Sequence, residues 1–214
     1  MKLLVASTNP DKIREIRQIL GALPVEVLTP DDVGAVPEPI ETGTTFAENA
    51  RLKALYYNAR TGLPSVADDS GIEIEALDNG PGIHSARWCG TDYQMKFAAI
   101  YDLMRKRGVS GSRARFVAAI AFAVDGTIAF ETEGIVQGEV APEPRGSHGF
   151  GYDPIFYYPP LGCTLAEVDG EAKEAVSHRG AAFRTFRSYL LSAVLTRGRE
   201  STAEDLNSSK EEGR

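Results

Sequence analysis

Cysteine is scarce in this chain: Cys89 and Cys163 are the only two among 214 residues, far apart and in no Cys-x-x-Cys or Cys/His spacing. That excludes a disulfide framework and a thiolate zinc site, and leaves two ordinary free thiols. No apolar stretch approaches the 18 residues of a membrane-spanning helix, and the apolar run after Met1 is too short for a secretory signal. A cytoplasmic protein with no membrane partner is expected. Positive charge is also in deficit, with 23 lysines and arginines against 30 acids and a net charge of −7. A dedicated nucleic-acid surface is therefore excluded, because a polyanion requires a basic stripe. No internal repeat is visible. What remains is 43% hydrophobic, enough to bury a core as one domain or as two lobes sharing a sheet.

The chain opens with a short buried strand, Leu3-Leu4-Val5-Ala6, followed by Asn9-Pro10-Asp11, which supply an N-cap, a first-turn proline and a first-turn acid. The helix that follows presents Ile13, Ile16, Ile19 and Leu20 on one face and stops at Gly21. Ser7-Thr8-Asn9-Pro10-Asp11-Lys12 is thus either a strand-to-helix loop with free N–H groups for an anion or a well-capped helix with an exposed lysine. Val25 to Leu28 is a weaker strand, and Thr29 to Glu41 is a connection rich in proline and acid. Thr45 and Glu48 fit a capping box opening a helix to about Arg60, ended by Gly62 and Pro64. On it Asn49 and Lys53, four apart, share a face that is either a ligand-binding pair or a solvated stripe.

Ser65-Val66-Ala67-Asp68-Asp69-Ser70-Gly71 brings an apolar run to an end in two acids, a hydroxyl and a glycine. Alternation along a strand sends Asp68 and Asp69 to opposite faces, so at most one of them faces a pocket. The same four residue types favour a tight turn, and a turn is expected there. Ile72 to Leu77 alternates as a half-exposed strand, Asn79 to Gly82 is expected as loop, and Tyr93 to Arg107 as a helix with Phe97, Ile100, Tyr101 and Met104 inward. Arg113 to Val124 is the longest strand, joined through Asp125-Gly126 to Thr127–Val136 as a tight hairpin. A hairpin after strand-helix units implies a mixed sheet.

Further on, Gly149-Phe150-Gly151-Tyr152-Asp153-Pro154 flanks an aromatic with glycines, which admits either a flat ligand beside the ring or a ring that plugs the core. Thr164 and Glu167 fit a second capping box, and Lys173, Ser177, His178 and Arg179 precede a final helix with Phe183, Phe186, Leu190 and Ala193 inward. Residues 198–214 form a charged segment without aromatics, expected to be a disordered tail beyond a single domain over 1–197. The motifs complement one another: an anion-favouring helix start with Lys12, the cations Lys53, Lys173 and Arg179, a metal-capable Asp69 and an aromatic loop together describe a site for a nucleoside polyphosphate. Cations at element ends in an acidic protein focus a small anion rather than a long polymer.

These same blocks resemble the Ham1/RdgB-type inosine triphosphate pyrophosphatase family. The resemblance spans roughly residues 2 to 195 and rests on Ser7 to Lys12, Glu41 to Ala50, Ala67 to Gly71, Pro81-Gly82 with Ser85-Ala86-Arg87, Phe150 to Pro154 and Ser177 to Gly180. It implies an α/β fold, an elongated mixed sheet flanked by helices in two lobes with a nucleotide cleft between them, usually as a homodimer. It further implies Mg²⁺-dependent hydrolysis of non-standard purine nucleoside triphosphates such as ITP, dITP and XTP between the α and β phosphates. Carried over by motif, Ser7, Thr8, Asn9, Pro10, Asp11, Lys12, Lys53 and Lys173 would hold phosphates, Asp69 would ligate metal or activate water with Lys53 as its catalytic companion, and Ser70 would touch substrate. Phe150, Gly151, Tyr152, Asp153, His178 and Arg179 would line the base pocket. In that light the expected turn presents Asp69 and Ser70 to the cleft, with Asp68 in support. The chain departs from the usual pattern at Ile40-Glu41, where two glutamates are common, so that Glu41 or Glu38 is the second metal ligand; at His148, where glycine is common; and in a shorter 89–96 segment. Two rivals are a Maf-like pyrophosphatase, whose opening serine- and arginine-rich motif is absent, and a nucleotide sensor without turnover, against which Asp69 and Lys12 argue.

Overall fold

In the computed structural model, residues 1–21, 23–34 and 36–192 are described. The tail expected over 198–214 and Ala193 lie outside them. The elements follow the order β1 (Lys2–Val5), α1 (Pro10–Leu20), β2 (Glu26–Leu28), α2 (Phe46–Thr61), β3 (Ser65–Ile74), β4 (Gly80–Pro81), α3 (Tyr93–Lys106), β5 (Arg113–Val124), β6 (Thr127–Val140), β7 (Phe156–Tyr158), β8 (Cys163–Thr164) and α4 (Gly170–Val176). A last helix, α5, covers residues 178–192. The strands form one mixed sheet ordered β2-β1-β3-β5-β6-β7-β8, with β4 paired to β3. Pairing is parallel through β2, β1 and β3 and antiparallel from β3 onward. The mixed α/β sheet is the one the hairpin and the strand-helix units imply.

Local chemistry accounts for several elements. Asn9 caps α1, its side-chain oxygen accepting from the N–H groups of Asp11 and Lys12, and Thr45 caps α2 by accepting from Glu48 N–H. The Glu48 carboxylate returns chiefly to Thr44, accepting from its N–H and hydroxyl, with a lesser contact to the Thr45 N–H. At the β5–β6 hairpin Asp125 and Gly126 both have positive φ, 50° and 76°, the backbone a two-residue turn with the twist of its strands requires.

The turn expected at Asp68 to Gly71 does not form. β3 runs unbroken through it because every residue from Ser65 to Ile74 is paired with β5, from Ala123 back to Ala114. A complete ladder satisfies the backbone N–H and C=O groups that a turn would have to satisfy alone. Gly71 is required for another reason: a Cβ there would lie 2.4 Å from Ser85 Oγ and 2.5 Å from Gly82 O. The loop expected at 79–82 contains the short strand β4, paired to the far end of β3.

β3 divides the interior. Its even-numbered residues share one face, on which Val66 joins a core with α1 and α5 that includes Ile16, Leu20, Phe183 and Phe186. Ile72 and Ile74 join a second core with Phe97, Ile100 and Met104 of α3. Tyr101, expected inward, is only half-buried and donates its hydroxyl to Ala141 O at 2.9 Å. Between the two cores on this face lie Asp68 and Ser70. On the opposite face Ala67 packs with Phe46, Ala50, Ala54 and Tyr57 of α2. Burying an aromatic or large aliphatic side chain stabilises by about 1.5–3 kcal/mol, so the apolar flanks hold rigid the stretch of strand that bears the acids. The start of α5 comes close to the sheet at Gly134, where a Cβ would stand 2.0 Å from His178 O.

Candidate active site

The two acids of β3 meet different partners. Asp68 has a fully buried side chain whose Oδ2 lies 3.1 Å from Lys12 Nζ and 3.2 Å from Arg179 Nε, and accepts from Ser70 Oγ at 3.2 Å. Burial pushes its pKa up, but the charges of Lys12, Arg179 and Lys53 outweigh this and hold it well below the usual carboxylate range. For Lys12 burial wins over the attraction of Asp68, and its pKa falls below the ordinary lysine value.

Asp69 points to the face of α2. Its Oδ2 accepts from Asn49 Nδ2 at 3.2 Å and its Oδ1 from Lys53 Nζ at 2.9 Å, so the pair four residues apart on α2 has a common partner. Lys53 Nζ also donates to Asp68 O at 2.8 Å and lies 3.0 Å from Glu41 Oε1. The other oxygen of Glu41 takes Arg87 Nη1 at 2.8 Å. Burial raises the Asp69 pKa above its ordinary value despite Lys53, whereas Glu41, also penalised by burial, is carried below its own by Lys53 and Arg87. Neighbouring acids driven apart in this way are suited to different tasks, a better base beside a permanent anion.

A second cluster lies beyond Arg179. Lys173 Nζ is 2.9 Å from Glu15 Oε1 and 2.6 Å from Asp153 Oδ2, and Arg179 Nη1 is 2.6 Å from Glu15 Oε2. Arg179 Nη2 donates to Ser70 Oγ at 2.9 Å. Lys173 Nζ stands 4.5 Å and Arg179 Cζ 5.4 Å from the centroid of the Phe150 ring, so cations attend the aromatic of the glycine-flanked loop. Asp153 also accepts from Phe150 N at 2.8 Å, and Gly149, at φ 71°, leaves room for that carboxylate. His178 is buried and stacked on Phe116 with ring centroids 4.7 Å apart. Burial, then the nearby Arg179 and Lys173, drive its pKa well below 6.5, so it is a neutral imidazole. Among the described residues its Nδ1 has no hydrogen-bond partner.

Two adjoining cavities, of about 150 and 210 Å³, share Asn9, Lys12, Glu41, Lys53, Ala86 and Arg87. The first extends to Asp69, Ser70, Phe150, Gly151, Tyr152, Asp153, Lys173, His178 and Arg179, bringing most of the residues selected from sequence to one wall. The second extends to Ser7, Thr8, Glu38 and Asp68. Pro10 and Asp11 line neither: Pro10 starts α1, and Asp11 pairs with Arg14 at 2.8 Å. The N–H groups of Asp11 and Lys12 are committed to Asn9 Oδ1, so the helix start does not offer them as an open cradle. Glu38, the other candidate for a second metal ligand, accepts the Thr8 hydroxyl instead.

Glu15, Arg87 and Lys96 carry no sequence signal that singles them out. Glu15 sits three residues after Lys12, an ordinary helix charge until α5 folds against it. Arg87 lies inside the Ser-Ala-Arg block but has no pattern of its own, and Lys96 looks like one more helix lysine.

The Ham1 family model matches residues 3–189. The dITP/XTP pyrophosphatase of Thermus thermophilus is 46% identical over 188 residues, covering 86% of this chain and 89% of the relative. The dITP/XTP pyrophosphatase of Syntrophobacter fumaroxidans is 44% identical over 180 residues, covering 84% and 78%. Among solved structures, a HAM1 protein from Coxiella burnetii superposes with a TM-score of 0.83 at 36% identity, over 90% of this chain and 99% of that one.

Proposed function

The chain belongs to the Ham1 family, and on that footing we propose that it hydrolyses non-standard purine nucleoside triphosphates, dITP, XTP and ITP, to the monophosphate and pyrophosphate. The reaction needs charge neutralisation and an in-line water rather than covalent chemistry from the protein. The observation that carries the proposal is the convergence of Asp69 and Glu41 on Lys53 at one end of a cleft whose other end holds Phe150, Lys173 and His178. Lys12, Lys53, Lys173, Arg87 and Arg179 bind and orient the phosphates. Asp69 accepts the proton of the attacking water, and Asn49 keeps its carboxylate turned to the cleft. Ser70, held by Arg179 and Asp68, contacts the nucleotide.

A divalent cation suits this donor set. The carboxylates of Asp69 and Glu41 already converge on one cation, the Lys53 ammonium. Mg²⁺ is typically held by one or two carboxylates with substrate phosphates completing its shell, and Asp69 and Glu41 are two such carboxylates side by side in the cleft. Asp69 and Glu41 would hold Mg²⁺, which would supply neutralisation of the phosphate charge. Five cations in the cleft region (Lys12, Lys53, Arg87, Lys173, Arg179) face six carboxylates (Glu15, Glu38, Glu41, Asp68, Asp69, Asp153), so without added positive charge a triphosphate meets a site with no positive excess.

Selection of the base falls to His178. Its neutral ring lines the cleft and donates its one N–H to a 6-keto oxygen; the amino group of adenine offers no acceptor there, and an unpaired buried donor is costly. The family resemblance also supports a homodimer working in the cytoplasm, which sedimentation and cell fractionation test. Among the described residues no helix is long and apolar enough to cross a membrane. The decisive assay incubates the protein with dITP and Mg²⁺ and measures pyrophosphate separately from orthophosphate. Pyrophosphate is expected; orthophosphate alone would sink the mechanism, and tight binding without turnover would make the protein a sensor.

A further inference from the structure

Lys96 is the one lysine of α3 that faces inward, and its side chain is among the largest fully buried ones. Burial lowers its pKa. A buried ammonium is costly unless its donors are used, yet no carboxylate is paired with it among the described residues. Its Nζ donates to two backbone carbonyls, Ser85 O at 3.1 Å and Ala86 O at 2.7 Å. The ring of Tyr93 covers another side, 4.3 Å from Nζ to the centroid, and Tyr152 lies 5.7 Å away. Three ammonium donors are thus met by two carbonyls and an aromatic face.

The segment Lys96 holds is otherwise loop. Ser85 O accepts a second hydrogen bond from the Tyr152 hydroxyl at 2.8 Å. Ser85 Oγ accepts from Ile72 N at 3.0 Å and donates to Gly82 O at 2.6 Å, tying the segment to β3 beside Gly71. Ala86 and Arg87 follow, lining both cavities, and Arg87 reaches across to Glu41. Arg87 itself has an exposed side chain whose one side-chain anchor among the described residues is that contact.

We infer that Lys96 is a positioning residue for the substrate cleft: from beneath, it pins the carbonyls of Ser85 and Ala86 and so fixes the wall from which Arg87 meets Glu41 and the phosphates. Lys96 touches no substrate; it acts through the 85–87 backbone. A neutral side chain of equal length fills the space but leaves both carbonyls without their donor, and the segment loses its fixed height above β3. This role rests on the nucleotide hydrolysis proposed above.

Trp88, the sole tryptophan, follows Arg87 and packs against the α3 core, so its fluorescence reports the segment without any assay of turnover. In Lys96→Met, acrylamide quenching of Trp88 should rise and its emission move to longer wavelength. KM for dITP should increase about tenfold or more, the worth of one or two lost hydrogen bonds to a charged group, with kcat nearly unchanged. Because the effect passes through Arg87, the KM effects of Lys96→Met and Arg87→Ala should be markedly less than multiplicative in the double variant. Wild-type KM and quenching in Lys96→Met, or fully multiplicative KM effects, overturn the inference. Should Lys96→Met not fold, Lys96→Leu takes its place, since a smaller apolar side chain likewise removes the donor to Ser85 O and Ala86 O: raised quenching and KM support the pinned wall, and unchanged values overturn it. If the wild-type protein releases no pyrophosphate, the proposed function fails by itself, and Trp88 quenching still decides whether Lys96 holds the segment.

Discussion

Asp68 and Asp69 are consecutive in one strand, yet their carboxylates lie on opposite faces of the sheet, one ion-paired with Lys12 and Arg179 and the other held by Asn49 and Lys53. The same peptide unit therefore joins a buried anchor to a cleft-lining acid, and the two acids are predicted to fail differently when replaced.

Asp69→Asn should lower kcat by about 10²–10⁴, the usual worth of a positioned general base, while the protein still melts cooperatively near the wild-type temperature. The fold survives because the amide keeps its place beside Asn49, Lys53 retains Glu41 and Asp68 O, and the cost of a buried charge is removed. Near-normal turnover would move the role to Glu41 or Asp68.

Asp68→Asn should instead cost about 3–5 kcal/mol of stability at pH 7, because Lys12 and Arg179 lose a buried counter-charge. The pH dependence has a definite sign. Asp68 has a folded pKa depressed below its unfolded value near 3.9, so its contribution is present above about pH 4 and is lost as pH falls further. Urea unfolding from pH 7 to 2 should show the wild type and the variant converging in acid; a constant gap across that range would refute the assignment.

Chelation with EDTA should abolish pyrophosphate release and added Mg²⁺ should restore it. Glu41→Gln should raise the Mg²⁺ concentration for half-maximal rate about tenfold or more, as loss of a ligand-shell carboxylate does, measured by Mg²⁺ titration at saturating dITP. Equal Mg²⁺ requirements would exclude Glu41 from the metal site.

His178→Gln should narrow the preference for dITP over dATP in kcat/KM by about tenfold, within the range for a lost pairing to a substrate group. It should also change the pH dependence of stability. The wild-type imidazole, with a folded pKa far below 6.5, stays neutral while the unfolded chain binds a proton, so stability falls below about pH 6.5 with a slope approaching about 1.4 kcal/mol per pH unit. The variant should lose that part of the slope, and a wild-type slope in His178→Gln would show that the ring titrates normally.

Much of the architecture follows from signals a few residues apart. Asn9 before Pro10, Thr45 before Phe46, Gly62 after Thr61 and Asp125-Gly126 between two alternating runs each act through backbone groups within a turn or two, and each gives the expected element. At Asp68 to Gly71 the residue types favour a turn and the chain makes none, because they are local signals, whereas the ladder with β5 that overrides them joins residues about 50 apart in sequence. The open helix-start cradle is absent for a related reason: whether Asn9 serves an anion or its own helix depends on its side-chain direction, which residue types leave open.

The complement of groups is written in the order of residues: the acids, cations, glycine-flanked aromatic and histidine that nucleotide chemistry requires, and, through strand alternation, that Asp68 and Asp69 must part company. Their partners come from packing between distant elements. Glu15 gathers Lys173 and Arg179 across more than 150 residues of chain, and Lys96 turns inward beneath Ser85 and Ala86. A lysine or glutamate on a helix carries the same local code whether it faces water or a buried cluster, and that choice is made by which elements pack against it.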